Sequence, residues 1–476
     1  MFERVARNTA YLTIAQVIGE LLNFVLFIIL TRVYGEINIG KYGFAMSIAV
    51  ILGAVADFGY REYTIKVMAQ NLEQAKSFLG NIIGLRIVFT LTAMLFLAIG
   101  SFSFSISDST RIVLLSIGAY QLIVGLGQIF ISEIKAHEDM KLIIKLVSIH
   151  RGVIFLIGIV AILLRCSFTT VMLVFPLGGV IFLSTCLYFS YARFGSLSWG
   201  FDIKEMIRSL KEAGHFFLNT IFSEVYSRSA SLFLAAMIGE AAVGIYTMAS
   251  KPVIAIGMFA SFFCASFYPA MVKAFKYNAN EVAHAATSSI RYLIISLFPI
   301  VTGFAIFSSE ISRILYGTVS DDIAKLMKVI PFYIGLVSVN TLLRYILFSM
   351  NRYRLITFVQ TPALALSIIL NIIFISFAGV MGAALAAILT EFYINFMLMM
   401  TVAKEFSTIS LTDYVYKPLL AAGTSVVILF VFINISHIFA AVISFGTYIA
   451  VLFQLKSLTL NDISQVRQLL HRKRVA

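Results

Sequence analysis

Apolar stretches recur from one end of this chain to the other, separated by short charged or turn-rich breaks. Each stretch has about 20 residues, the length of helix that crosses the hydrocarbon core of a bilayer. Only 12% of the residues are charged, about half the share found in soluble domains. A single globular core could not bury this much apolar sequence. The chain is therefore predicted to be an all-α polytopic membrane protein.

Fourteen transmembrane helices are predicted from these stretches, and an even number places both termini on one side. Most of the 36 lysines and arginines lie at the termini and in the loops of that same side, which the positive-inside rule assigns to the cytoplasm. The predicted spans are 10–32, 40–60, 78–101, 112–134, 142–164, 168–191, 213–236, 243–271, 288–308, 327–350, 355–378, 380–402, 417–436 and 438–455.

The net charge of +13 raises the possibility of a nucleic-acid partner. The cytoplasmic placement of the basic residues, including the run from His471 to Arg474, instead favours topology and anionic membrane lipids. We therefore expect no nucleic-acid partner.

Sequence signals for catalysis are missing as well. The three cysteines lack metal-binding spacing, and no Walker A, HExxH or GxSxG motif is present. We expect no catalytic residues, no metal and no cofactor, and the chain is not predicted to be an enzyme.

An internal repeat organises the chain. Residues 35–45 read GEINIGKYGFA and residues 239–249 read GEAAVGIYTMA, a match 204 positions apart that also aligns Glu20 with Glu224. Two six-helix copies in the same orientation are typical of transporters that carry their substrate between the halves. The predicted domains are an N-terminal bundle (1–192), a cytoplasmic amphipathic linker helix (193–213), a C-terminal bundle (214–403), and two further spans with a basic tail (404–476).

Polar residues on the first span form one stripe, because Gln16, Glu20 and Asn23 follow each other at helical spacing. The seventh span carries Glu224 and Arg228 one turn apart. Such residues either hydrogen-bond between helices or face a hydrated cavity. For the charged members we favour the cavity.

Six basic residues fall within the predicted spans, where a charge needs a partner, water or a short reach to the interface. Cations outnumber the carboxylates of the spans, so a positive cavity suited to an anion is predicted. Arginine offers paired donors that match phosphate oxygens. The candidate substrate-binding residues are Arg228, Lys251, Arg86, Arg291, Arg344 and Arg151.

The carboxylates suggest a second role. A partly desolvated glutamate takes up and releases protons near neutral pH, so Glu20, Glu224 and Glu391 are candidates for coupling to a proton or sodium gradient. Static ion pairing, as between Glu224 and Arg228, is the alternative.

Several segments resemble one known family. They are a first helix with Asn8 and Gln16, the run TRVYGEINIGKYGFAMSIA, ADFGY at 56–60, GEAAVGIYTMASKP, and GVMGAALAAILTE at 379–391. Together they are similar to Wzx-type polysaccharide repeat-unit flippases of the multidrug/oligosaccharidyl-lipid/polysaccharide exporter superfamily. An acid common in the seventh helix of that family is absent from residues 229–235, which leaves Glu224 as the nearest candidate.

This resemblance implies a V-shaped alternating-access transporter in the bacterial cytoplasmic membrane. Its substrate would be an undecaprenyl-diphosphate-linked oligosaccharide for O-antigen, capsule or exopolysaccharide synthesis. Membrane lipids, a polymerase and chain-length proteins of the same pathway would be its partners. A lipid II flippase and a cation-coupled multidrug exporter are the alternatives within the superfamily. A membrane glycosyl transferase is disfavoured, because the carboxylate pair Asp321 and Asp322 lies in a short outer loop.

Overall fold

The structure is a computed structural model that describes residues 2–70, 75–103, 106–195, 202–277, 279–317, 321–350, 352–405, 411–432 and 437–458. All fifteen elements in these ranges are α-helices, which confirms the predicted all-α fold class. They are α1 (Phe2–Asp57), α2 (Tyr60–Gln70), α3 (Ala75–Ser103), α4 (Asp108–Ala136), α5 (Met140–Leu163), α6 (Phe168–Met172), α7 (Val174–Phe194), α8 (Ile203–Met237), α9 (Glu240–Tyr277), α10 (Ala279–Ile306), α11 (Ser308–Tyr316), α12 (Asp321–Ser349), α13 (Tyr353–Glu405), α14 (Leu411–Phe432) and α15 (His437–Gln454).

Eight helical stretches of the described chain are long and apolar enough to cross a membrane. Two of them, Gln16–Asp57 and Arg354–Lys404, have 42 and 51 residues, about twice what one crossing requires. Shorter apolar helices, Tyr416–Phe432 and Phe439–Gln454, follow near the C-terminus. The chain is a multi-pass membrane protein.

The two longest helices are each interrupted once, at a glycine. Gly35 in α1 has φ 75° and Gly379 in α13 has φ 57°, backbone conformations that glycine adopts without the steric penalty of a side chain. Spans 1 and 2 therefore meet at a single residue, and so do spans 11 and 12. The sequence had predicted a connection of residues 33–39 at the first place and of residue 379 alone at the second.

The chain forms two compact units. The first unit consists of Met1–Ala255, Ser312–Leu326 and Gln360–Thr390, and the second of Ile256–Ile311, Met327–Val359 and Glu391–Ala476. Within the first unit, α1 packs along α4, α5 and α8, while α4 also packs on α7. Within the second unit, α14 packs on α10 and α15.

The predicted linker helix joins the seventh span without a break. The Asp202 side chain accepts hydrogen bonds from the amides of Lys204 (2.9 Å) and Glu205 (3.3 Å), which starts α8 as an N-cap. Asn81 of α3 donates to the Glu205 carboxylate at 2.7 Å, fixing this end of α8 in the first unit. Residues 196–201 of the linker and residues 459–476 of the basic tail lie outside the described residues, and the domain boundaries stay predictions.

The two copies of the repeat contact each other through matching residues. A Cβ atom placed on Gly40 would strike the Glu240 carbonyl and lie 3.1 Å from the Gly244 amide nitrogen. A Cβ atom placed on Gly244 would strike the Glu36 carbonyl and lie 3.1 Å from the Gly40 nitrogen. Gly40 and Gly244 are equivalent positions of the repeat, and so are Glu36 and Glu240. Each glycine therefore makes the same contact with the other copy, and α1 and α9 cross here about a local twofold axis.

Candidate functional site

Four helices of the first unit bring charged side chains together. Glu20 lies on α1, Arg151 on α5, Arg228 on α8 and Lys251 on α9. Lys251 is within electrostatic range of Glu20, Arg228 and Arg151. We call these four residues, together with Glu224, the central cluster.

Arg151 and Glu20 form the most central ion pair of the cluster. One guanidinium nitrogen lies 3.7 Å from the Glu20 carboxylate, and another donates a long hydrogen bond of 3.4 Å to the Tyr120 hydroxyl. The arginine side chain lies against Gly19, where a Cβ atom would be 3.2 Å from its Cγ. The glycine therefore lets Arg151 approach α1 closely enough to reach Glu20.

Arg228 and Glu224 lie one turn apart on α8, as the sequence predicted. Their closest nitrogen and oxygen atoms are 3.9 Å apart, longer than a hydrogen bond. The Arg228 side chain is 38% exposed, although its Nε atom is buried and has no hydrogen-bond partner among the described residues. This loose pairing leaves Arg228 able to bind an additional anion.

Lys251 completes the cluster from α9. Its ammonium nitrogen lies 5.6 Å from the centre of the Phe27 ring, a cation–π distance. Three cations thus face two carboxylates, Glu20 and Glu224. The cluster carries a net positive charge, and its ion pairs are long enough to exchange partners.

Tyrosines hold the cluster in place, although the sequence did not single them out for this role. Tyr42 is buried between the rings of Phe27 (6.4 Å) and Phe175 (6.0 Å), and it lies within electrostatic range of Arg151, Glu20 and Arg228. Tyr120 packs edge-on against Phe175 at 5.5 Å. The repeat motif contains Tyr42 but gives no hint of these contacts, because they join helices far apart in sequence.

Of the other polar residues predicted on the first span, Gln16 is exposed and Asn23 is partly buried. Both lie on α1, one turn to either side of Glu20. The predicted stripe therefore borders the central cluster.

The structure does not place Arg86 in this cluster. Its side chain is 1% exposed, lies 2.9 Å from the Asp57 carboxylate and donates to the Gly125 carbonyl at 2.6 Å. Arg86 was predicted to line a cavity, but it forms a buried structural ion pair instead. Protein encloses its guanidinium, and Asp57 at the end of α1 neutralises it.

The remaining predicted residues lie in the second unit. Arg291 donates to the Tyr292 hydroxyl at 3.0 Å and lies over that ring. Arg344 is on α12, one turn from Asn340. Glu391 is 2% exposed and accepts a short hydrogen bond from the Asn340 amide. Within the described residues, no lysine or arginine pairs with the Glu391 carboxylate.

In the described part of the chain, no group of three or more His, Cys, Asp or Glu side chains could hold a metal ion.

The sequence model of a family described as "Polysaccharide biosynthesis protein" matches residues 5–275. No curated protein matches the sequence.

Solved structures of low sequence identity share the fold. A structure described as the lipid II flippase MurJ in an inward closed conformation superposes with a TM-score of 0.78 at 16% identity, covering 94% of this chain and 98% of its own. An outward-facing multidrug resistance MATE family transporter of the MOP superfamily gives 0.59 at 13% identity, covering 85% and 97%. A MOP superfamily transporter from Pyrococcus furiosus gives 0.58 at 13% identity, covering 84% and 96%.

Proposed function

Because the chain belongs to the polysaccharide biosynthesis protein family, we propose that it is a flippase for undecaprenyl-diphosphate-linked oligosaccharide repeat units. It moves them from the inner to the outer leaflet of the bacterial cytoplasmic membrane, for the synthesis of O-antigen, capsule or exopolysaccharide. Both termini lie in the cytoplasm. A polymerase and chain-length proteins of the same pathway receive the product.

The observation that carries this proposal is the arrangement of Arg151, Arg228 and Lys251 around Glu20. A diphosphate is the most concentrated negative charge on such a substrate. Guanidinium groups bind phosphate oxygens with paired donors, and a lysine adds a compact charge. The long ion pairs of the cluster can open to accept the diphosphate and close again when it leaves.

The polar headgroup of this substrate explains why a path through the protein is needed. A diphosphate and its sugars lose many hydrogen bonds to water when they enter hydrocarbon. The central cluster replaces part of that hydration with fixed positive charge and polar groups. The polyprenyl tail stays in the bilayer throughout, so only the head crosses in an alternating-access cycle.

Energy for net transport comes from an ion gradient in this proposal. Glu20 and Glu224 border the substrate path, and Glu391 is a buried carboxylate in the second unit. Protonation of one of these groups, or its binding of sodium, would bias the direction of the cycle.

A lipid II flippase is the second candidate, supported by the fold similarity to MurJ. The headgroup chemistry is the same, since lipid II also carries a diphosphate. Loss of the gene separates the two: loss of a lipid II flippase is lethal, whereas loss of a repeat-unit flippase removes a surface polymer. A multidrug exporter for cationic drugs is disfavoured by the net positive charge of the central cluster, and drug-resistance assays test it.

Reconstitution tests the proposal directly. The full-length protein is placed in vesicles with a fluorescent undecaprenyl-diphosphate oligosaccharide, and an impermeant lectin reports the sugar that reaches the outside. We expect exposure of the sugar with wild-type protein and only background exposure with Lys251→Ala. A parallel experiment uses vesicles that contain lipid II. If the wild-type protein brings lipid II to the outside but leaves the oligosaccharide at background, the repeat-unit substrate is rejected in favour of lipid II.

A further inference from the structure

A cavity lies in the first unit, apart from the central cluster. Its volume is about 770 Å³, within the range of about 300–1,000 Å³ that is usual for ligand sites. Most of its wall is apolar. Its apolar lining comes from α1, α3, α4 and α8 and includes Phe44, Ile48, Leu52, Phe96, Leu114 and Leu232.

The cavity and the central cluster lie on different sides of α1. Tyr42 faces the cluster residues, whereas Phe44 lines the cavity. Residues two apart on a helix point about 200° from each other. None of the residues of the central cluster lines the cavity, so it is a distinct site.

One end of the cavity is polar and negative. Glu240, at the start of α9, lies there with Ser101, Ser107 and Thr110. The Thr110 hydroxyl donates a short hydrogen bond to the Glu240 carboxylate. Among the residues that the structure describes, no lysine or arginine forms an ion pair with Glu240.

Positive groups stand just outside this polar end. Arg111 donates at 3.0 Å to the carbonyl of Ser101, a residue of the cavity wall, and forms an ion pair of 2.7 Å with the exposed Asp108. Lys41 donates at 2.7 Å to the Ser109 hydroxyl, next to Thr110. An apolar space thus ends in the Glu240 carboxylate, and its rim carries Lys41 and the Arg111–Asp108 ion pair.

We propose that this cavity binds a phospholipid whose headgroup carries a primary amine. The acyl chain lies along Phe44, Ile48 and Leu52, and the ammonium group donates hydrogen bonds to Glu240. The phosphate lies on the side of Arg111. Phe96 is 66% exposed, so the chain enters past it from the surrounding bilayer.

The charges at the polar end set the specificity. An anionic headgroup such as phosphatidylglycerol brings no positive group to Glu240 and is repelled by it. The quaternary ammonium of phosphatidylcholine is positive but has no N–H to donate. The diphosphate of the proposed transport substrate is excluded for the same electrostatic reason. Phosphatidylethanolamine satisfies both the carboxylate and the cations.

Native mass spectrometry of the full-length protein tests this inference. The probes are phosphatidylethanolamine, phosphatidylcholine and phosphatidylglycerol with identical acyl chains. We expect wild-type protein to retain the ethanolamine lipid about tenfold more strongly, the effect of one charge-assisted hydrogen bond. Glu240→Gln removes the preference, while Glu36→Gln, the repeat-equivalent control, keeps it.

A second variant tests the acyl-chain site. Gly100 lines the cavity, and a Cβ atom there meets nothing within 4 Å, so Gly100→Phe fills space without a clash at its first carbon. We expect it to reduce retention of all three lipids. Gly423→Phe is the control, since Gly423 is equally open but lies on α14.

The outcomes separate cleanly. Equal retention of the three lipids by wild-type protein overturns the proposal, and so does an ethanolamine preference that survives Glu240→Gln. Unchanged retention in Gly100→Phe places the lipid elsewhere. Thermal unfolding of each variant shows whether a loss of binding comes from a loss of fold.

Discussion

The guanidinium of Arg86 lies 2.9 Å from the carboxylate of Asp57, enclosed by the first unit and 1% exposed. The two arginines of the central cluster are held differently: Arg151 and Arg228 lie 3.7 Å and 3.9 Å from their carboxylates, and their side chains are 24% and 38% exposed. We therefore expect two roles for charged residues within the membrane-spanning helices: support of the fold, and, in the central cluster, the proposed binding of substrate. Substitutions distinguish the two roles.

Arg86→Ala is expected to unfold or deplete the protein. Removing one partner of a buried ion pair costs about 3–5 kcal/mol, because the other charge stays behind uncompensated. The measurement is the amount of folded protein by fluorescence-detected size exclusion. The double variant Arg86→Met with Asp57→Leu should recover most of it, and failure to recover would show that the Gly125 hydrogen bond matters more than the ion pair.

Lys251→Ala and Arg228→Ala are expected to stay folded and lose surface polysaccharide, at least tenfold in polymer per cell. Neither residue is needed to neutralise a fully buried carboxylate, so the protein level should match the wild type. The measurement is polymer in a deletion strain complemented with each variant. Unchanged polymer in both variants would contradict a role for the central cluster in substrate binding.

Gly40→Ala and Gly244→Ala are expected to destabilise the protein equally. Each added methyl group would meet a backbone carbonyl of the other repeat, and overpacking of this kind costs about 1–3 kcal/mol. Gly100→Ala is the control, since its methyl group enters open space. Tm values of the purified variants test this, and a drop for only one of the two glycines would contradict the local twofold arrangement.

Glu391→Gln is expected to remain folded, because glutamine accepts the Asn340 hydrogen bond as the carboxylate does. Glu391→Leu leaves that donor buried without an acceptor side chain and should cost about 1–3 kcal/mol. Flipping driven by an imposed proton gradient should be lost in Glu391→Gln. If this variant still responds to the gradient, Glu391 is not the coupling residue, and the same assay with a sodium gradient tests the other ion.

Much of the fold could be predicted from the sequence, since apolar runs of membrane-spanning length are a local property. The predicted spans lie on described helices, although α2 and α11 fall between spans, and the family match confirms the resemblance drawn from the motifs. The predicted spans already left only residue 379 between spans 11 and 12, but the single-residue joint at Gly35 could not be foreseen. Hydropathy shows where a chain leaves the bilayer but not how few residues it uses to turn.

The site was predicted less completely. The sequence indicated Glu20, Arg228 and Lys251 as polar residues of the spans, and the structure places them together in the first unit. It could not show that Arg86 pairs with Asp57, because the two residues lie on helices separated by a further element. The cavity beside Glu240 had no sequence signal, since its lining is ordinary apolar helix surface.

The crossing of α1 and α9 holds a trace of how the chain arose. In a symmetric homodimer, residue i of one copy contacts residue j of the other, and residue j of the first contacts residue i of the second. The two copies of the repeat make a contact of this kind. Positions on the axis of a homodimer must be identical. Here Gly43 faces Thr247, its repeat equivalent, whose hydroxyl occupies the space that a Gly43 side chain would fill. Because both copies lie in one chain, the two positions at the axis need not be identical, and this interface is asymmetric, with a glycine on one side and a threonine on the other.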